Sequence, residues 1–414
     1  PALRFKGFTD PWEQRKLGDA FERVVRKNTN NESRLPLTIS AQDGLVDQIT
    51  YFNNRVASRD VSNYYLVYNG EFAYNKSTSD GYPFGAVKRL DWYEKGVLST
   101  LYIVFALKHP EKDDSDFMTV FYDTDRWHRG VAERAAEGAR NHGLLNISAD
   151  DFFDIDTTMP EDKAEQEKIG RLLKKLDTLI TLHQRKYEKL VNIKKSMLDK
   201  MFPQNGASVP EIRFKGFTDP WEQRKLGEVF EEYSEKNHAE LPPLTIIQGG
   251  GTIRRDESER ALQYDKSSLS NYKMVNKDDF IVHLRSFEGG LEKASSQGII
   301  SPAYHTFHGE DVDSRFYYAY FRSKNFINKD LKPHVYGIRD GRSIDIEGMK
   351  TIRIPWASYP EQKSIGDFLT HLDTLITLHQ RKLEKLVQIR KAFAERCFLQ
   401  SRKEFVMAFT KEAD

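Results

Sequence analysis

Residue types that commonly hold a metal ion or a phosphate occur at two places in the chain, and neither place has the full pattern. His305 and His308 stand three residues apart, a spacing compatible with a metal ion, but no cysteine or cluster of carboxylates accompanies them. The run Gly249-Gly250-Gly251 lacks the Lys-Ser or Lys-Thr that completes a phosphate-binding loop. We therefore predict no metal site, a structural role for the two histidines and a flexible turn at the glycines.

Sequence patterns of catalysis are missing as well. An adenine methyltransferase is expected to carry an F-x-G-x-G loop and an Asn/Asp/Ser-Pro-Pro-aromatic motif, whereas the one Pro-Pro pair lies in Leu241-Pro242-Pro243-Leu244. The chain has no Walker A sequence, no H-E-x-x-H and no convincing group of nucleophile and base. We predict no catalytic residue and interpret the chain as a binding protein.

The composition fits a globular chain with much exposed surface. Its 414 residues suggest two to four domains. Because 63 basic residues are balanced by 62 acidic ones, binding of nucleic acid would depend on local patches rather than on net charge. Cys397 is the only cysteine, and the sequence contains neither a leader pattern nor a run of 18 apolar residues. We expect a reducing cytoplasm.

Two blocks of sequence occur twice. Residues 4–18 return as 213–227 with 15 consecutive identities, and residues 176–195 return as 372–391 with 17 identities in 20 positions. The period is about half the chain, which indicates a two-fold duplication rather than a solenoid. The segments between the blocks have diverged in sequence and length. The constant parts therefore meet the same partner twice, or each other, and the variable parts meet two targets; recombination that replaced the variable segments would leave the same pattern.

The repeats predict an α+β fold with an internal pseudo-two-fold repeat. Short apolar runs such as 64–68, 97–107 and 316–321, broken by Gly, Asn, Asp and Pro, are typical of strands. Trp12 and Trp221 of the repeated block are expected to anchor it on its domain, with partner contact as the alternative. The predicted segments are a first domain at 1–159, a long helix at 160–203, a linker at 204–212, a second domain at 213–359, a second long helix at 360–400 and a tail at 401–414.

Both long helices carry a coiled-coil pattern. Pro160 with Glu161, and Pro360 with Glu361, are good helix starts, and apolar residues then recur at alternating three- and four-residue intervals. We expect an antiparallel coiled coil whose pairing surface, also the place where partners bind, includes Leu176, Leu179, Ile180, His183, Leu190, Leu372, Leu375, Ile376, His379 and Leu386.

Two polar features of these helices have alternative explanations. His183 and His379 occupy the seam register near the helix midpoints, so antiparallel pairing would place them near one another; the alternative is an exposed histidine without function. Residues 165–200 carry ten Lys or Arg against five Asp or Glu. This excess is either a solvated face or a contact with phosphates.

The order of these segments resembles the specificity subunit of type I restriction-modification systems, the HsdS family. The resemblance rests on RFKGFTDPWEQRKLG at 4–18 and 213–227, and on EQ-x-x-IG-x-x-L-x-x-LDTLI at 165–180 and 361–376. It covers nearly the whole chain. It implies two mixed α/β target-recognition domains separated by two long helices, with each domain reading one half of a split, asymmetric sequence in double-stranded DNA.

The resemblance also implies partners that carry out the chemistry. Two modification subunits would bind S-adenosylmethionine and methylate adenine N6, and restriction subunits would use ATP and Mg. The chain itself would hold no cofactor and would have no membrane partner. Two other functions remain as alternatives: a coiled-coil scaffold whose twin domains bind proteins, and a nuclease with an unrecognised carboxylate site.

Base reading by such domains requires polar side chains in the major groove, with Arg favoured for guanine and Asn or Gln for adenine. We selected polar residues of Gly-rich loops at matched places in the two halves. In the first domain they are Lys76, Ser77, Tyr82, Lys88, Arg89, Arg140 and Asn141. In the second domain they are Arg254, Arg255, Arg285, Lys293, Arg339 and Arg342.

Overall fold

The computed structural model of the chain describes residues 1–40, 43–79, 81–135, 143–204, 206–258, 266–283, 291–336 and 343–398. The chain forms two compact units that are not continuous in sequence. The first unit combines Pro1–Leu182 with Lys382–Asp414, and the second is His183–Arg381. Each unit therefore contains one domain together with a segment of both long helices.

The first unit is built on a four-stranded antiparallel sheet with the strand order β2-β9-β6-β7, and three two-stranded sheets pair β1 with β10, β3 with β4 and β5 with β8. The strands are β1 Glu13–Lys16, β2 Phe21–Arg23, β3 Leu37–Ser40, β4 Gly44–Asp47, β5 Tyr65–Tyr68, β6 Phe72–Asn75, β7 Ala86–Arg89, β8 Lys95–Leu98, β9 Ile103–Leu107 and β10 Asp156–Met159. The helices are α1 Leu17–Ala20, α2 Gln48–Phe52, α3 Ser115–Tyr122, α4 His128–Arg134, α5 Ala149–Phe153 and α6 Lys163–Lys200.

The second unit repeats this arrangement with a central sheet of order β12-β19-β16-β17 and pairs β11-β22, β13-β14, β15-β18 and β20-β21. Its strands are β11 Glu222–Lys225, β12 Glu231–Tyr233, β13 Leu244–Ile247, β14 Gly251–Arg254, β15 Lys273–Val275, β16 Phe280–Val282, β17 Glu292–Lys293, β18 Gly298–Ile300, β19 His305–His308, β20 Val335–Tyr336, β21 Ser343–Ile344 and β22 Arg353–Trp356. Its helices are α7 Leu226–Val229, α8 Ser314–Phe321, α9 Ile346–Lys350 and α10 Tyr359–Phe398. The matching strand orders confirm one underlying domain fold in both halves.

One predicted strand is wrong. Residues 316–321 form most of helix α8, which begins after the N-cap Asp313, whose carboxylate accepts hydrogen bonds from the backbone N–H groups of residues 315 and 316. The buried side chains are Phe316, Tyr317, Tyr320 and Phe321, which recur at helical rather than alternating spacing. A short aromatic run has high strand propensity. Here the Asp313 cap and the packing of one helical face favour the helix instead.

The long helices form part of both cores. The core of the first unit includes Leu173 and Leu176 of α6 with Ala394 of α10, and the core of the second includes Leu369 and Leu372 of α10. Among the described residues, no helix is both long and apolar enough to cross a membrane.

Candidate nucleic-acid interface

The repeated N-terminal block binds the beginning of a long helix through an arginine-glutamate pair. Arg4 donates to both carboxylate oxygens of Glu165 at 2.7 and 2.8 Å. Arg213 does the same to Glu361 at 2.6 and 2.8 Å. Both glutamates are buried, so each depends on its arginine for compensation. Glu361 also accepts a hydrogen bond from the indole of Trp221 at 3.0 Å.

A glutamine beside each of these glutamates fastens the domain to the helix. Gln166 donates to the Pro160 carbonyl at 2.8 Å and accepts from the backbone N–H of Asp114, also at 2.8 Å. Gln362 accepts from the backbone N–H of Asp313 at 3.0 Å in the same way. Asp114 and Asp313 are the N-caps of α3 and α8. The two domains therefore dock through equivalent helices.

The close approach of α3 to α6, and of α8 to α10, requires glycine on the long helix. A Cβ atom on Gly170 would lie 2.5 Å from the Phe117 backbone nitrogen, and one on Gly366 would lie 2.8 Å from Asp313 Oδ1. Real Cβ atoms do not come this close to backbone or carboxylate atoms. The I-G pair shared by both helices is therefore a docking feature.

The predicted pairing residues differ in burial. Leu176 and Leu372 are buried, and Leu190 and Leu386 pack partly buried against the cores of the second and first unit, respectively. The remaining apolar members are partly buried: Leu179, Ile180, Leu375 and Ile376.

The prediction that the histidines lie together is confirmed. His183 Nδ1 and His379 Nδ1 are 2.8 Å apart, and the ring centres are 5.0 Å apart. Further along the same unit, Lys194 contacts Asp373. Because the contact partner on α10 moves from 379 back to 373 as α6 advances from 183 to 194, the two helix segments are antiparallel.

The described candidate readers of the first domain fall into two groups. Lys76, Ser77 and Tyr82 belong to the segment that follows β6, and this segment contacts residues 143–147. The Leu145 N–H donates to the Lys76 carbonyl at 3.0 Å, and Lys76 Nζ lies 3.4 Å from the Ile147 carbonyl oxygen. The structure therefore brings two loops that are distant in sequence into contact.

Lys88 and Arg89 lie on β7 and form ion pairs within the first unit. Lys88 Nζ is 2.9 Å from Asp123 Oδ1. The Arg89 guanidinium donates to Asp91 at 2.6 Å and to Asp116 at 2.8 Å. Burial tends to lower the pKa of Arg89, but these two carboxylates outweigh it and raise the pKa. Both side chains thus have structural partners, and their contact with DNA stays a prediction.

In the second domain Arg254 and Arg255 lie side by side where β14 ends. Arg254 is half exposed and binds Asp256 through Nε at 3.1 Å and Nη2 at 2.8 Å. The Arg255 guanidinium lies 5.3 Å from the centre of the Tyr272 ring. An exposed arginine whose partner is two residues away can exchange that partner for a phosphate or a base at small cost.

Lys293, on β17, contacts Asp278 and lies 3.5 Å from Ser314 Oγ. The remaining candidates lie outside the described residues, and their roles stay predictions: Arg140, Asn141, Arg285, Arg339 and Arg342.

The two histidines considered as metal ligands bind carboxylates on different residues. His305 Nδ1 lies 2.6 Å from Glu232, and His308 Nδ1 lies 2.6 Å from Asp279. Over the described ranges, no group of three or more His, Cys, Asp or Glu residues is arranged to hold a metal ion.

Sequence reasoning missed the hairpin of β13 and β14. Its tip places an exposed Gln248 before Gly249, and within the described part of the chain the Gln248 side chain has no hydrogen-bond partner. The buried carboxylate of Glu292 holds the tip by accepting from the N–H groups of Gly249 at 2.7 Å and Gly251 at 3.2 Å. The sequence Pro-Leu-Thr-Ile occurs at 36–39 and again at 243–246, and this short repeat could have located the hairpins in both halves.

Comparisons with known proteins agree with this architecture. Residues 218–388 match a family model described as the type I restriction modification DNA specificity domain. A putative type I restriction enzyme MjaX specificity subunit of Methanocaldococcus jannaschii is 22% identical over 406 residues, covering 92% of this chain and 91% of that protein. The MjaVIII specificity subunit of the same organism is 24% identical over 317 residues, covering 72% of each chain.

The fold is shared with a solved protein. The crystal structure of a type I restriction-modification S subunit from M. genitalium matches with a TM-score of 0.58 at 14% identity, covering 97% of this chain and 99% of that one. At this identity the match establishes the fold.

Proposed function

Because the chain belongs to the family of type I restriction-modification specificity subunits, which are non-catalytic DNA-recognition subunits, we propose that its two domains read the two halves of a bipartite, asymmetric DNA sequence. In this proposal the long helices set the length of the unread gap. Two modification subunits bind the constant helical surfaces, and restriction subunits join through them. Adenine methylation, with S-adenosylmethionine, and ATP-dependent cleavage, with Mg, belong to those partners.

One observation carries the proposal: the two domains dock through equivalent hydrogen bonds of Gln166 and Gln362 but present different side chains. The contacts of Gln166 and Gln362 with the caps of α3 and α8 are the same in both units. The sequences between the paired strands, in contrast, read S-A-Q-D-G at 40–44 and I-Q-G-G-G at 247–251. A protein that must read two different half-sites with one geometry needs this combination of fixed placement and variable surface.

The linkage of the two domains also explains how two weak interactions with DNA can give tight binding of the whole target. Once one domain has bound its half-site, binding of the second becomes intramolecular, and the affinities combine. A wrong base in either half then weakens the whole complex, typically by about 1–3 kcal/mol per base pair.

The test is to sequence methylated adenines in cells that express the chain with its modification subunit. We expect one motif made of two different half-sites separated by a fixed gap. Cells that express the modification subunit alone are the control and should lack the motif. A continuous motif, or methylation without sequence preference, would contradict the proposal.

A further inference from the structure

Helices α3 and α8 dock at equivalent places but carry opposite charges. When the two helices are aligned on their N-caps, Asp114 and Asp313, Asp116 corresponds to Arg315 and Asp123 corresponds to Arg322. Two acidic positions in the first domain are thus two arginines in the second. The rest of the contact, including the N-cap, the following serine and the glutamine that holds the cap, is unchanged.

In the first unit the acidic side chains face basic residues of the long helices. Asp116 lies 3.6 Å from Lys174 on α6, and Asp123 lies 3.0 Å from Arg390 on α10. Arg390 is 20% exposed and also binds Asp177 at 2.9 Å. Burial tends to raise the pKa of Asp116, but Arg89 and Lys174 outweigh it, and the pKa is lowered.

In the second unit the helix charge is reversed to match. Arg315 contacts Asp367 on α10 as well as its neighbour Asp313. At the offset of 196 that relates the long helices, Asp367 corresponds to Arg171, and Lys174 corresponds to Thr370. The helices also differ in charge where Glu167, Lys168 and Lys175 correspond to Lys363, Ser364 and His371, whereas Arg390 corresponds to Lys194 and keeps its charge. The reversal beside α8 is therefore at Asp367.

The second matched pair shows the same reversal inside each domain. Lys88 on β7 binds Asp123, and at the equivalent position of β17 Glu292 binds Arg322 at 2.6 Å. The strand registers establish this equivalence, because Ala73 pairs with Lys88 as Ile281 pairs with Glu292. Each domain has therefore exchanged both partners of this ion pair.

We propose that these reversed charges assign each recognition domain to its own position on the long helices, and thereby fix the order of the two half-sites. The proposal rests on the proposed function. The second domain, if placed in the first position, would bring Arg315 against Arg171 and Lys174. The first domain in the second position would bring Asp116 against Asp367. Like charges in a partly buried contact oppose docking, which is the usual way that wrong pairings are excluded.

The first test uses point variants of the natural chain, compared by thermal denaturation. Asp116→Asn removes the ion pairs with Arg89 and Lys174, whereas Asp116→Arg also introduces repulsion. We expect Asp116→Arg to have the lower Tm, and the added change Lys174→Gln to recover part of the difference. Equal Tm values for Asp116→Asn and Asp116→Arg would overturn the proposal, because repulsion would then not discriminate.

The second test replaces residues 19–159 of the full chain with residues 228–356, so that the second domain occupies both positions; the strand registers make Trp356 the counterpart of Met159. This chain is expressed with the modification subunit, and methylated adenines are sequenced. We expect at least about tenfold less methylation than for the natural chain. The same chain with Arg315→Asp in the transplanted copy restores the polarity of the first domain at this contact and should methylate a palindromic target.

The comparison of these two chains decides the outcome. A rescued chain no more active than the unrescued one would overturn the charge assignment, even though the natural chain still methylated its bipartite target. Failure of the natural chain to produce a bipartite motif would instead contradict the proposed function.

Discussion

At the scale of single residues, the two domains are held by buried charges that have one dominant partner each. Glu165 and Glu361 are nearly inaccessible to solvent, and their arginines are 20% and 14% exposed. Removing one member of such a pair leaves the other charge in a poorly solvated place. The resulting loss of folding stability is larger than the net stability that the intact pair contributes. The arginine of each repeated block therefore acts as a positioning residue for the helix start.

Neutralising these glutamates should destabilise the chain. For Glu361→Gln we expect a loss of about 2 kcal/mol, because Arg213 loses a bidentate charged acceptor. Glu165→Gln should cost less, since no indole donor depends on Glu165 among the described contacts. Urea denaturation checks both variants, with the exposed Glu161→Gln as the control. An effect of Glu361→Gln no larger than that of the control would contradict the role assigned to this pair.

Acid should reveal the contribution of Asp116. Its pKa is lowered in the folded chain, so its contribution to stability is present above its ordinary value of 3.8 and is lost as the pH falls through the folded value. We expect Asp116→Asn to have a lower Tm than the natural chain at about pH 6, and the difference to shrink toward about pH 3. The exposed Asp125→Asn should show a smaller difference at every pH. A Tm difference independent of pH would refute this assignment.

At the scale of elements, the docking of α3 and α8 depends on close backbone approach. Alanine normally stabilises a helix interior by about 1 kcal/mol relative to glycine. At Gly170 the added Cβ would lie 2.5 Å from the Phe117 nitrogen and 2.9 Å from Asp114 Oδ1. The cost of overpacking, typically about 1–3 kcal/mol, opposes the gain in helix propensity.

We therefore expect Gly170→Ala and Gly366→Ala to lower the Tm although both raise helix propensity. Thr178→Ala, at an exposed position of α6, is the control and should leave the Tm nearly unchanged or raise it. Stabilisation by Gly170→Ala would show that the domain can move away from the helix without loss, and would contradict docking through this contact.

The structure separates the lysines of the long helices into two groups, those in ion pairs and those exposed to solvent. Lys174 and Lys194 form ion pairs within their units, whereas Lys175 and Lys195 are exposed and form no ion pair in the described part of the chain. If the exposed lysines bind phosphates of the unread gap, each should release about 0.9 counterion.

Replacing Lys175 and Lys195 with glutamine should then reduce the salt slope of DNA binding by about 1.8. The binding constant of the complex with modification subunits is measured over a range of salt concentrations. Lys363→Gln is the matched control at another exposed position of a long helix. An unchanged slope would leave the solvated face as the explanation.

At the scale of the whole molecule, the proposed function assigns one reading of DNA to each of the two separate cores. Variants in loops of the second domain should change one half-site and leave the other intact. We expect Arg254→Ala, Arg255→Ala and Arg285→Ala together, and Gln248→Ala separately, to relax bases in a single half-site when methylated adenines are sequenced. Changes confined to the other half-site, or no change at all, would remove these residues from the set of readers.

The sequence predicted the repeated architecture well because identity between copies reports what both halves must keep. The long helices, the histidine contact and the common domain fold follow from residues such as Leu176 and His183. Strand prediction failed at 316–321, since an aromatic run does not reveal that Asp313 caps a helix. The ion pairs of Lys88 and Arg89 were also beyond prediction, because their partners are about 30 residues away and become neighbours only in the folded chain.

Because His183 contacts His379, the two copies of the repeated helix segment cannot carry their imidazole hydrogens in the same way. With 2.8 Å between two Nδ1 atoms, one nitrogen must carry the hydrogen and the other must offer its lone pair. When both rings are neutral, two residues that occupy identical places in the repeat therefore hold different tautomers. Nitrogen NMR of the paired rings should resolve two unlike Nδ1 signals, or one averaged signal if the proton exchanges between the rings. A single proton thus distinguishes the two copies near the midpoint of the repeated helix segment.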